Sequence, residues 1–355
     1  MPSTTLPDQA NLKDIKRAEI DAKIHSLEEA ILALKRERNA LSPICQLPYD
    51  VFAIISQRVA EDRRSVSDLS WIKALTHVCS HWRTIAITFP RLWTEINFKC
   101  SDLVLVKLDR SRSSLLSVHY RMDRRKPDSE NKMDSLLSVL HHLHRIKDLE
   151  LAMPVNWFES GVLDKLSFPL AAPALEKCLI QVLQPVSQHE AGHWIELPGT
   201  ILQSFSNVTS LKLRHCAFDW SGLVNLPRLT ILDVADPRDV QVTCDTLLHI
   251  LRQLPLLESI RLVKCLPPPT SFTIPSAILN LNHLNTLDIS DETSRCTHFL
   301  HQLVITPDLS SRSSPTSGKP KHPPEGLSNH STFAVHSTIK RSTSNSKLGP
   351  RPFPS

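Results

Sequence analysis

An apolar–x–x–apolar–x–apolar triplet recurs six times along this chain, and it constrains the fold more than any other feature. The copies are Ile146/Leu149/Leu151, Leu175/Cys178/Ile180, Val208/Leu211/Leu213, Leu229/Leu232/Val234, Leu257/Ile260/Leu262 and Leu284/Leu287/Ile289. Their middle positions lie 29, 33, 21, 28 and 27 residues apart. The last two members of each triplet are two residues apart, the spacing that puts side chains on one face of a strand. Each copy therefore predicts one strand, and Leu116-Ser117-Val118 predicts an earlier strand of the same sheet. Between them, Met133–His144, Thr243–Leu254 and a shorter stretch opening at Pro275 read as helices. Strand, helix and strand at this period predict an α/β architecture with a parallel sheet along one side of a right-handed solenoid.

Two copies continue to a cysteine three residues beyond the last apolar position, Leu213 to Cys216 and Leu262 to Cys265. With that extension the region 99–305 resembles an irregular leucine-rich-repeat domain, whose pattern is L-x-x-L-x-L-x-x-N/C. The resemblance implies a curved surface from which alternate strand residues project. The outward candidates are Lys212, Arg214, Asp233, Arg261 and Asp288, expected to be mainly solvated. The loop 184–198 interrupts the array. No recognisable capping repeat follows at about Leu303, so two alternatives stand: the tail shields the last apolar edge loosely, or the reading frame departs there and a longer array has been lost.

Composition narrows the chemistry. Only 7 of 355 residues are Gly, and no Gly-rich phosphate loop or nucleophile-elbow motif occurs. The net charge is +5, but Thr306–Ser355 alone holds seven Lys and Arg against two Asp and Glu. The remainder is electroneutral, which argues against a nucleic-acid-binding body. No apolar run suits a membrane span or a signal peptide, so an intracellular location, cytoplasmic or nuclear, is expected. The eight scattered Cys, with no C-x-x-C, read as free thiols with structural roles. His141 and His144 share a face if the helix runs through them, and His189 and His193 are four apart, yet neither pair has a local third ligand. No metal, no cofactor and no catalytic residue is expected. Asn207-Val208-Thr209 matches a glycosylation acceptor but sits at a strand entry.

Residues 1–11 are expected to be disordered, and 12–41 form an amphipathic helix. Ile20, Ile24, Leu27, Ile31, Leu34 and Leu41 recur in alternating steps of four and three, with Arg38 in the one missing place. The reading preferred from sequence is a helix laid along its own neighbouring domain. A short coiled coil, with weak self-association, is the alternative.

Residues 43–98 read as a small helical unit with more apolar surface than about 50 residues can bury internally. Pro48 can open a helix, on which Val51, Ile54, Ile55 and Val59 form one stripe. After the polar run Glu61–Ser67, a second helix carries Leu69, Ile72, Leu75, Val78, Cys79 and Trp82. The unit resembles the F-box. The family's opening stands here as Leu47-Pro48, Asp50, Val51 and Ile54-Ile55. Its close stands as Val78-Cys79-Ser80-His81-Trp82-Arg83-Thr84-Ile85-Ala86, then Pro90-Arg91-Leu92-Trp93. The resemblance implies docking on the Skp adaptor of a Skp–cullin–F-box ubiquitin ligase. Leu47, Pro48, Val51, Ile54 and Ile55 would face the adaptor, with Val78, Trp82 and Arg83 closing or supporting the contact.

Residues 306–355 contain 12 Ser, 5 Thr and 8 Pro and are expected to be disordered. The whole therefore reads as a non-enzymatic substrate receptor: the helical module holds the adaptor, through it a cullin–RING ligase, and the repeats hold a protein target. The alternative is a leucine-rich-repeat scaffold without ligase association.

Overall fold

The computed structural model describes residues 8–64, 68–122, 130–167, 172–183, 194–237, 242–268, 283–302 and 332–338. The chain divides into two compact units. One holds the residues up to Thr94 with Asp109–Arg112, and the other holds Glu95–Leu108 and the residues from Ser113 onward. The division falls slightly before the boundary expected at 98/99.

The first unit begins with helix α1, Asp8–Ala40, uninterrupted by Gly or Pro. Every side chain described in it is exposed except Asn39, which is half-buried. The packing of this helix along its own domain, preferred from sequence, is thus not found, because its seam meets nothing among the described residues. A 3₁₀ turn, Pro43–Gln46, leads to α2 (Tyr49–Arg64), α3 (Asp68–Thr76) and α4 (Ser80–Thr88), which pack on one another. The single second helix expected over 69–82 is two helices. Cys79 is extended (φ −155°) and sits before the first turn of α4, so the 3.6-residue period runs across a break. A 3₁₀ turn, Pro90–Trp93, closes the unit's core.

The second unit is built on strands β1 (Glu95–Asn97), β2 (Leu116–Arg121), β3 (Ile146–Met153), β4 (Lys177–Val182), β6 (Ser210–Arg214), β8 (Ile231–Ala235), β9 (Ser259–Val263) and β10 (Thr286–Glu292). They lie side by side in chain order, all parallel. A separate two-stranded pair joins β5 (Ile195–Glu196) to β7 (Cys216–Ala217). The helical connections include α5 (Ser101–Arg110) and α6 (Glu130–Leu140). A kinked segment follows, with α7 (Val155–Trp157) and α8 (Leu163–Ser167) flanking a wider turn. Next come α9 (Gly199–Gln203), α10 (Cys244–Arg252) and α11 (Thr293–His301). All six triplets and the Leu116 segment lie on or lead into strands. β1, too short for a pattern, extends the sheet unannounced.

Register explains the repeat. The middle triplet positions form one continuous row, Val118–Leu149–Cys178–Leu211–Leu232–Ile260–Leu287, and the last positions form a second, Tyr120–Leu151–Ile180–Leu213–Val234–Leu262–Ile289. Every member of both rows is buried in one core. Three strands then end on a left-handed residue that is not Gly: His215 (φ 56°), Asp236 (φ 49°) and Lys264 (φ 49°). Their N–H groups extend the ladder to the carbonyls of Ala235, Val263 and Ser290. That sharp turn drops the next residue inward after two of them, where the Cys216 thiol donates to Arg214 O and the Cys265 thiol faces Val234 O. Burial pushes Cys178 and Cys216 up to about 12, so these thiols stay protonated.

Other expectations shift at their edges. α6 stops at Leu140, and Leu143–Arg145 is a separate 3₁₀ turn, so His141 and His144 do not share a helix face. The helix expected from Pro275, the loop histidines His189 and His193, and Ser65–Ser67 lie outside the described residues. Most of the C-terminal tail does too, but Thr332–Thr338 forms β11, which pairs antiparallel with β10 over its whole length. Pairing there removes a free strand edge, the feature most open to association.

Because Leu211 is fully buried between Cys178 and Leu232, Leu211→Ala should cost about 2–5 kcal/mol of stability. Denaturant unfolding of the full chain measures this.

Candidate functional site

In the first unit, helix α2 sorts its apolar residues onto two sides. Phe52, Ala53, Ser56 and Ala60 face the core, four positions spread over little more than two turns. Phe52 meets Trp82 edge-on at 4.8 Å between ring centroids. Trp71 meets Trp93 in the same manner at 5.1 Å, and Trp93 Nε1 donates to Ala86 O at 2.8 Å. The Arg110 guanidinium lies 4.4 Å over the Trp93 ring. This aromatic core fixes α2, α3 and α4 relative to one another, with no need for the remaining apolar groups.

Those remaining groups point outward. Ile54 is 65% exposed, Val78 55% and Val51 42%. Pro48 is exposed, while Leu47 and Ile55 are half-buried. The α2 helix starts directly after Pro48, whose carbonyl accepts from Phe52 N at 3.1 Å. Val51, Ile54 and Ile55 sit at the i, i+3 and i+4 positions of one helical face. Leu69, from the second apolar stripe, is also exposed, as are Ile44 and Tyr49, which belong to no stripe read from the sequence. The signal that could have found them is the excess of apolar residues in so small a unit, once Phe52 and the tryptophans have claimed the interior.

Two of the eight residues singled out from sequence have internal roles. Trp82 is half-buried against Phe52. Arg83 donates from Nε to Thr76 O at 2.8 Å, tying α4 to the end of α3. Thr76 in turn donates from its hydroxyl to Ile72 O. Beside Trp82 lie the thiols of Cys45 and Cys79. The Cys45 thiol is pushed up, first by burial and then by Cys79, with Trp82 opposing.

The second unit presents two polar features. The strand positions between the buried rows form an outward row, His119–Glu150–Leu179–Lys212–Asp233–Arg261–Asp288. The expectation that these charges are mainly solvated is corrected here. Arg214 reaches Asp233 at 2.8 Å, Arg261 reaches Asp288 at 3.1 Å and Arg121 reaches Glu150 at 3.1 Å, and Asp233 is only 6% exposed. The parallel register brings these charges within reach across neighbouring strands.

The other feature is a cavity of about 870 Å³ walled by Trp194, Phe218 and Trp220, with Glu159, Glu196 and Asp219 among its lining. Asp219 caps the following turn through Ser221 N and the Ser221 hydroxyl. Among the described residues its lining holds carboxylates and hydroxyls but no His, Cys, Lys or Arg. Among the described residues no three His, Cys, Asp or Glu side chains are grouped to hold a metal, and no helix is long and apolar enough to cross a membrane. His142 is held below the usual imidazole range by burial and by the charge of Arg145. Asn207 donates to Pro173 O at 2.7 Å, so its amide has a structural partner.

Comparison with protein-family models, curated proteins and solved structures finds no match for this chain.

The division of α2 into an inner and an outer face has a measurable consequence. Trp82→Ala should destabilise by about 3–5 kcal/mol, since it removes the ring packed on Phe52. Ile54→Ala should change stability by no more than about 0.5 kcal/mol, as an exposed substitution does. Thermal or urea unfolding of the two variants separates an internal role from an external one.

Proposed function

We propose that this chain is an F-box-type substrate receptor that links a target protein to the Skp adaptor of a Skp–cullin–F-box ubiquitin ligase. One observation carries the reading. Ile54 and Val51 stand exposed on a helix whose neighbouring residues Phe52, Ala53 and Ser56 are buried. A folded module that completes its own core and still presents an apolar helix face suits a partner that covers that face. The residues presented are those that the resemblance between 47 and 93 assigns to the adaptor contact.

The reading gives each unit a task. Leu47, Pro48, Val51, Ile54 and Ile55 make the adaptor contact, and Val78 extends it. Trp82 and Arg83 hold α4 in place behind it. The second unit, read as an irregular leucine-rich-repeat domain on the strength of its two apolar rows, holds the target. Catalysis takes place on other subunits, and the receptor contributes proximity, raising the target's effective concentration near the transferred ubiquitin. The alternative is a repeat scaffold with no ligase partner.

Binding of purified Skp adaptor to the full chain discriminates between them. Burying one such side chain is worth roughly 1.5–3 kcal/mol before association costs. The double variant Leu47→Ala/Ile54→Asp should therefore weaken the complex by at least about tenfold, with an unchanged circular dichroism spectrum. Wild-type protein that is folded and does not bind, or a double variant that binds equally well, favours the scaffold.

A further inference from the structure

Helix α1, the longest described element, has no apolar counterpart among the described residues. Along α1 the seam residues Ile20, Ile24, Leu27, Ile31 and Leu34 are each between 49% and 64% exposed, and Leu41 just beyond it is 76% exposed. An isolated helix is only marginally stable in water, and in proteins helices draw most of their stability from packing an apolar face. The side-chain pairs along α1, Arg17 with Asp14 at 3.9 Å and His25 with Glu29 at 3.5 Å, are exposed and add little.

The seam specifies its occupant. Steps of four and three place Arg17, Ile24, Ile31 and Arg38 at the a positions of a heptad, with Ile20, Leu27, Leu34 and Leu41 at d. β-branched Ile at a with Leu at d is the combination that favours two parallel strands. The flanking charges agree. In a parallel pair each g residue meets the e residue five places on in the other helix. Lys16 then faces Asp21 of the second copy, and Lys23 faces Glu28, with opposite charges each time. Two attractive contacts thus occur twice over, by symmetry. An antiparallel pair centred on the same seam also gains Lys23 with Glu37 and Asp21 with Lys35. It sets Glu28 against Glu28 at its middle, however, a like-charge contact that the parallel pair replaces with Lys23 against Glu28. The parallel pair sets Arg17 against Arg17 and Arg38 against Arg38, but toward the two ends of the seam, where a long side chain can turn its charge to water.

We infer that α1 is one half of a parallel, in-register, two-stranded coiled coil formed with a second copy of this chain. The two basic a positions, Arg17 and Arg38, lower its stability and fix its alignment, as polar a residues do. The consequence is a bivalent molecule: both copies present their outward α2 faces and their repeat units from one stalk. A target with two sites, or two targets on one assembly, would then be held with avidity that a single chain lacks. The inference stands on the helix alone and is independent of what docks on α2.

Light scattering on the full chain, after size-exclusion chromatography, should give about twice the 40.0 kDa chain mass. Ile24→Asn/Ile31→Asn should halve that mass and leave the cooperative unfolding of the rest of the chain and its adaptor affinity unchanged. For the alignment, Leu27→Cys treated with diamide should form a covalent dimer that wild-type protein treated in parallel does not. A wild-type mass of one chain overturns the coiled coil, as does a double variant that remains dimeric. A wild-type dimer in which Leu27→Cys does not cross-link overturns the parallel register.

Discussion

Side-by-side registration of apolar strand positions is the constraint on which the larger unit rests. In the parallel sheet, each strand from β2 to β10 contributes one residue to each of two buried rows, so a strand displaced by one residue would send both out of the core. Intervals of 21 to 33 residues between copies are therefore tolerated, since the connections can vary while the rows cannot. Paired charges on the outward side reinforce the same alignment. Arg261 lies between Asp233 and Asp288 only if three strands keep step.

The smaller unit is governed by the opposite condition. Its rings, Phe52 on Trp82 and Trp71 on Trp93, complete a core with apolar residues left over. The surplus is arranged on one face of α2 and along one seam of α1, not scattered. Two uncovered apolar stripes on adjoining segments are what the proposed associations, with an adaptor and with a second copy, would cover. The cavity beside Trp220 and the paired charges of the sheet show no comparable surplus of apolar surface.

Much of this architecture could be read before any coordinates, for a physical reason. A two-residue alternation repeated six times reports burial directly, so the strands over Leu149, Cys178, Leu211, Leu232, Ile260 and Leu287 followed. Boundaries set by backbone geometry did not. The break at Cys79 falls where the side-chain period happens to continue. The left-handed turns at His215, Asp236 and Lys264 are hidden because residues other than Gly occupy them. A periodic stripe also records that residues are apolar on one side, not what lies on that side. For this reason the Trp82 and Val78 positions read alike, as core or as contact, although one is packed on Phe52 and the other faces outward. The same ambiguity made α1 read as packed on its own domain.

The central claim is that the outward face of α2 is covered by the adaptor. Amide hydrogen exchange of the full chain, read by mass spectrometry with and without purified Skp adaptor, maps that surface without altering a residue. Adding adaptor should slow exchange across Leu47–Val59 and leave the strands between Ile146 and Glu292 unchanged. Unaltered exchange over Leu47–Val59, or protection confined to those strands, would contradict it.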